Sequence, residues 1–105
     1  MQQQLALFHL GQLITHLKAG YRGVIYDIDP VFSGTEEWYE TMARSLPPKD
    51  KPWYYVLVDG QSHTTYVAER HLAADETGGP VVHPLVRKLF SEFKDGRYLR
   101  RMTAN

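Results

Sequence analysis

β-forming and apolar residues gather in four short runs along this chain, and the runs come in pairs. Gln12 to His16 (Q-L-I-T-H) and Tyr21 to Asp29 flank L-K-A-G, where Gly20 can supply the positive φ of a reversal. Trp53 to Asp59 (W-Y-Y-V-L-V-D) and Thr64 to Ala68 (T-T-Y-V-A) repeat the arrangement around Asp59-Gly60, a strong turn signal. Two antiparallel hairpins are predicted.

The twenty or so residues between the hairpins are too many for a structureless loop in a compact domain. Ser33 and Glu36 have the spacing of a capping box, and Trp38, Met42 and Leu46 recur every four residues, so a short helix is expected. Pro47 and Pro48 would end it, and Pro52 restarts extended chain because the residue before a proline avoids the α region. Farther on, H-P-L-V-R-K-L-F-S-E-F-K-D-G predicts a C-terminal helix over about 84–94, with Pro84 at its first position and Gly96 as its stop. Leu85, Val86, Leu89, Phe90 and Phe93 form its apolar stripe, to be packed on the chain's own body or on a partner. Residues 97–105 read as a frayed basic tail. With no strand-helix-strand crossover, the pattern predicts an all-β fold, a small bent barrel whose closure protects its edges.

Composition narrows this further. A chain of 105 residues fits one domain, here 1–105 with the barrel over about 8–72, and 43% hydrophobic content argues for a packed core. The absence of cysteine removes disulfides and thiolate chemistry and suits a reducing, cytoplasmic setting. No apolar run approaches the ~20 residues of a membrane span, and no membrane partner is expected. The zero net charge conceals an asymmetry: residues 1–79 hold six Lys/Arg against ten Asp/Glu, and residues 80–105 hold six against two.

The order F-x-x-G-Q-x-x-x-H-x-x-x-G-Y-x-G-V-I-x-D-I-D-P-V-F, then P-W-Y-x-V-L-V-D-G, then T-Y-V-A-E-x-x-L, resembles the YccV-like family, also known as the heat-shock protein HspQ or hemimethylated-DNA-binding domain family. The likeness covers about Phe8 to Leu72 and rests on Gly11, His16, Gly20, Tyr21, Gly23, Asp27, Asp29, Pro30, Pro52, Trp53, Tyr54, Tyr66 and Glu69. It implies an SH3-like barrel, self-association into homo-oligomers, and two non-enzymatic functions in stress physiology: binding hemimethylated DNA and acting as a specificity factor for the Lon protease. The second half, with E-W at 37–38, S-L-P at 45–47 and H-P-x-V-x-x-x-F-S-E-F at 83–93, is similar to the branch appended to eukaryotic F-box proteins, which serve protein turnover.

Asp27 and Asp29, two apart on one strand, could project together and share a metal or a proton. No second acidic cluster or metal-ligand spacing accompanies them, so the preferred reading is structural, with Asp29 bonding local backbone N–H groups where Pro30 turns the chain. The five histidines, His9, His16, His63, His71 and His83, are scattered; His16 reads as a hydrogen-bonded packing residue and His83 as a helix starter. Tyr21, Tyr26, Trp53, Tyr54, Tyr55 and Tyr66 could stack on bases, but alternation along the strands sends part of the set into the core. Lys18, Arg22, Arg87, Lys88, Arg97, Arg100 and Arg101 are the candidate phosphate contacts. Burying one methyl group contributes about 0.8 kcal/mol, so methylation state needs oligomeric docking or DNA deformation to be read stringently. The function expected is a hemimethylated-DNA-binding regulatory module without catalytic residues, metal or cofactor. The alternative is an adaptor for an ATP-dependent protease or other degradation machinery, in which case the partner is protein rather than DNA.

Overall fold

The computed structural model describes residues 5–101, and both hairpins form where expected. β1 (Leu13–His16) pairs antiparallel with β2 (Arg22–Asp29), and β3 (Trp53–Val58) with β4 (Thr64–Ala68). β2 also pairs with β3, joining the hairpins into one sheet. After a turn of 3-10 helix at Glu69–His71, a three-residue strand, β5 (Leu72–Ala74), pairs back on β1. The strand order is therefore β4-β3-β2-β1-β5. Among the described residues no ladder joins β4 to β5, so the sheet is open where a closed barrel was expected.

Neighbouring residues on these strands are buried on opposite faces. Ile14, Ile25, Tyr54, Val56, Val67 and Leu72 pack together on one face, with Phe8 and Leu10 against them. Leu13, Val24 and Leu57 lie on the other, under Val81, Phe90 and Tyr98. Two-sided burial explains why V-I and V-L-V runs replace strict alternation in β2 and β3. A third cluster closes one end of the sheet, where Tyr39 and Ala43 meet Trp53 and Ala68.

Tyr39 and Ala43 belong to the inserted helix, α1 (Glu36–Met42), and to the residue that ends it. Its cap is Thr35, whose hydroxyl accepts from Trp38 N at 3.0 Å, rather than Ser33, whose N–H donates to the Tyr66 hydroxyl. Met42 and Leu46 are 62% and 60% exposed, so the four-residue spacing that suggested the helix does not mark its buried face.

The C-terminal helix expected over 84–94 is replaced by one helical turn, α2 (Val86–Leu89), and a hairpin of β6 (Phe90–Lys94) with β7 (Arg97–Arg100). A bulge between Phe90 and Glu92 is the physical reason for the difference. The extra residue returns Phe90 and Phe93 to the same face although they stand three apart, which imitates helical periodicity. Both rings meet Tyr98, with centroids 5.2 and 4.7 Å away. Asp95 and Gly96 take consecutive positive φ values of 54° and 78°, the demand of a tight hairpin turn, so Gly96 turns a ribbon instead of stopping a helix. The apolar stripe does pack on the chain's own sheet. Of the tail expected to fray, Arg97–Arg100 is a strand, and 102–105 lie outside the described residues.

Gly11 joins this ribbon to the sheet. Its N–H donates to Ile25 O, its carbonyl accepts from Tyr98 N, and a Cβ there would overlap the Tyr98 carbonyl oxygen at a φ of +82°. Gly20 has nearly the same φ, +79°, with open space around it. Gly11→Ala is therefore expected to cost at least about 2 kcal/mol, from backbone strain plus overlap, against about 1 kcal/mol for Gly20→Ala, which bears strain alone. Urea denaturation of both variants checks this, and equal losses would refute the close approach.

Candidate functional site

The C-terminal cations lie on α2 and on this ribbon, where the register puts Lys94 and Arg97 on one face and Arg100 on the other. Arg87 and Lys88 are exposed on α2, and Arg97 and Arg100 on β7, together with Lys94 at the end of β6. Arg101 is exposed too, but its guanidinium donates to the carbonyls of Arg87 and Phe90, clasping α2 to the ribbon. Lys94 was missed as a candidate, though its place before the Asp95-Gly96 turn could have marked it.

Lys18 and Arg22 do not join that group. Lys18 stands exposed at the β1–β2 turn. Arg22 is turned inward, its Nε donating to Asp75 Oδ2 at 3.0 Å, its Nη1 to Asp59 Oδ2 at 2.9 Å, and its Nη2 to the Gly79 carbonyl. Asp59 in turn accepts from Val82 N, and Asp75 from Thr15 and Thr77 hydroxyls. One guanidinium thus ties β2 to the segment that leads toward the ribbon. Burial by itself would raise the Asp75 carboxyl's pKa, but the bonds from Thr77, Arg22 and Thr15 outweigh it and hold the group below the usual carboxylate range.

Asp27 and Asp29 separate in role. Asp27 is exposed, and its Oδ1 accepts from Ile28 N, the local backbone bond expected of its neighbour. Asp29 Oδ2 accepts from two phenols, Tyr55 at 2.9 Å and Tyr66 at 2.7 Å. Burial, and then the bond to Asp29, pushes the Tyr55 hydroxyl up to about 12 and raises that of Tyr66 as well. Tyr54 follows the same pattern against Glu69, at 2.6 Å, with the N–H of Phe8 donating to its hydroxyl and the N–H of Leu7 to the Glu69 carboxylate. Among the signature residues, these carboxylates therefore hold tyrosines in place. Among the described residues no group of three or more His, Cys, Asp or Glu could hold a metal ion. Nor is any helix there long and apolar enough to cross a membrane.

Three other signature residues, His16, Tyr21 and Trp53, converge with Tyr66 on a cleft of about 460 Å³. His16 Nδ1 accepts from the N–H groups of Lys18 and Ala19, so its other nitrogen carries the ring proton. Its ring lies 5.1 Å from Tyr21 and 5.7 Å from His71. Burial, and then the neighbouring cations, holds both imidazoles below their ordinary pKa. His71 also meets Ser45 Oγ at 3.2 Å. Arg44 and Ser45, in the loop after α1, were not singled out from sequence, and His71 was named only among the scattered histidines. His83 is buried elsewhere, accepting at Nδ1 from Leu85 N ahead of α2 and meeting His63 O through Nε2.

Comparison with known families finds one model, described as hemimethylated DNA-binding protein YccV like, matching residues 6–97. The match takes in the sheet, α1, the cleft and most of the C-terminal ribbon.

The Asp75 site makes stability depend on acidity in a definite sense. A carboxyl depressed by folding contributes fully above its unfolded pKa, and that contribution is lost as pH falls through the folded value. Urea midpoints should therefore fall from about pH 5 to pH 2 more steeply for the parent chain than for Asp75→Asn. Parallel profiles would remove Asp75 from the acid response.

Proposed function

This chain belongs to the YccV-like family of hemimethylated DNA-binding proteins, and on that premise we propose that it is a non-enzymatic regulatory module that binds DNA through its C-terminal β-ribbon. The observation that carries the proposal is the placement of Lys94, Arg97 and Arg100, exposed on a two-stranded ribbon that Tyr98 and Gly11 fasten to the sheet. A two-stranded ribbon fits the major groove of B-form DNA, where the substituents of adenine N6 and pyrimidine C5 are displayed. Arg87, Lys88 and Arg101 extend the phosphate contact from the same unit, Lys18 is an outlying contact, and Arg22 serves the fold instead. The acidic excess of residues 1–79 repels a duplex and so concentrates contact on the basic end.

The strand order supports reading the sheet as an SH3-like barrel left open along β4, because the 3-10 turn after β4 leads into a strand that returns to β1. Binding in this proposal uses the surface of the separate β6–β7 ribbon and needs no enclosed active site.

Fluorescence anisotropy with unmethylated, hemimethylated and fully methylated duplexes, titrated with salt, tests the proposal. Affinity should fall steeply with salt, and the Arg97→Ala/Arg100→Ala variant should reduce the magnitude of the log–log salt slope by about 2. A preference of roughly fourfold for the hemimethylated duplex is what one buried methyl supplies. Absence of binding at low salt overturns the DNA reading, and equal affinity for the three duplexes overturns methylation recognition.

A further inference from the structure

β4 is the outermost strand of the open sheet, and the cleft runs along its free edge. Its residues alternate in facing: Tyr66 and Ala68 lie with Trp53 toward α1, whereas Val67 lies with Tyr54 and Val56 on the opposite face. Residues of both sets, from Thr64 to Ala68, line the same cleft. A space bordered by both faces of one strand lies beside its edge, where alternate N–H and C=O groups point away from β3. The cleft is thus the gap left by the missing β4 partner.

Natural edge strands are shielded by charge, proline, bulges or extreme shortness. β5, the opposite edge, has three residues. β4 has five, T-T-Y-V-A, without charge or proline, and pairs with β3 without a register shift. Trp38, Met42 and Pro47 supply an apolar wall on the α1 side, and Tyr21, whose hydroxyl bonds the Thr65 hydroxyl at 2.7 Å, borders the other. The charged groups lining the cleft are Lys18 and Arg44, and among the described residues no carboxylate lines it, although the body around it is acidic.

We propose that this cleft is a strand-addition site for an extended peptide segment of a partner protein, one that alternates apolar and acidic side chains. The peptide backbone continues the sheet at β4, its apolar side chains enter between Trp38 and Met42, and its carboxylates meet Lys18 and Arg44. Backbone pairing supplies affinity and the side-chain pockets supply selection. The site is distinct from the basic ribbon and stands whether or not the ribbon binds DNA.

Titration of the full chain, labelled with ¹⁵N, with a blocked heptapeptide alternating valine and glutamate tests this. Amide shifts should concentrate on Thr64 to Ala68, with cross-strand contacts to the peptide. A lysine-for-glutamate peptide, and one with proline at alternate positions, should each bind at least tenfold more weakly. Arg44→Glu should weaken binding of the glutamate peptide and strengthen that of the lysine peptide, a reversal that loss of fold cannot produce. Shifts confined to other strands, or equal binding of the three peptides, overturn the proposal. So does concentration-dependent dimerisation with β4 amides protected in the dimer, since the edge would then belong to a second copy of the chain.

Discussion

The central strands have to be covered on both sides, and most of the molecule is arranged to do so. Ile14, Ile25 and Val56 fill one face, while Leu13, Val24 and Leu57 require a lid on the other. Leaving three such side chains in water costs on the order of 5 kcal/mol, as much as the whole stability of many small domains. Phe90 and Tyr98 form that lid, so the C-terminal ribbon is part of the folded body. Its attachment is correspondingly detailed. The Tyr98 hydroxyl bonds both N–H and C=O of Val81, and Gly11 lets the backbone of the ribbon approach closely enough to hydrogen bond. The same requirement explains why cations near the chain's end are presented on a strand.

What could be read from sequence was local, and what could not was carried by long-range partners. The two hairpins followed from runs of β-formers and from Gly20 and Gly60, whose φ values are positive as their turns require. The same turn signal was available at Asp95-Gly96, but the bulge in β6 spaced Phe90 and Phe93 like a helix and overrode it. In α1 the capping box read at Ser33 is replaced by a Thr35 cap, and the Ser33 N–H is engaged instead by Tyr66, thirty-three residues away. Asp29 behaves likewise. Its partners come from β3 and β4, while the local bond assigned to it is made by Asp27. Arg22 looked like a surface cation because Asp59 and Asp75 are distant in sequence, and the cleft escaped notice because four segments meet to form it.

The ion pairs sort the cations by task. Among the described residues they join Arg22 to Asp59 and Asp75, and Lys49 to Glu36, all within the acidic body. The Lys49 pair is solvent-exposed, and pairs of that kind contribute little; the Arg22 pairs are less exposed and fasten β2 to the turn after β3 and to the chain beyond β5. None of these pairs reaches the C-terminal cations, and Arg101, whose guanidinium bonds to carbonyls, keeps its charge. Among the described residues, folding therefore uses Arg22 in ion pairs and leaves the ribbon's cations out of them, with Glu92 and Asp95 as the carboxylates on the same ribbon. Such an arrangement gains little for the isolated chain. If the ribbon meets DNA as proposed, its electrostatic benefit arises when phosphates approach and release their counterions.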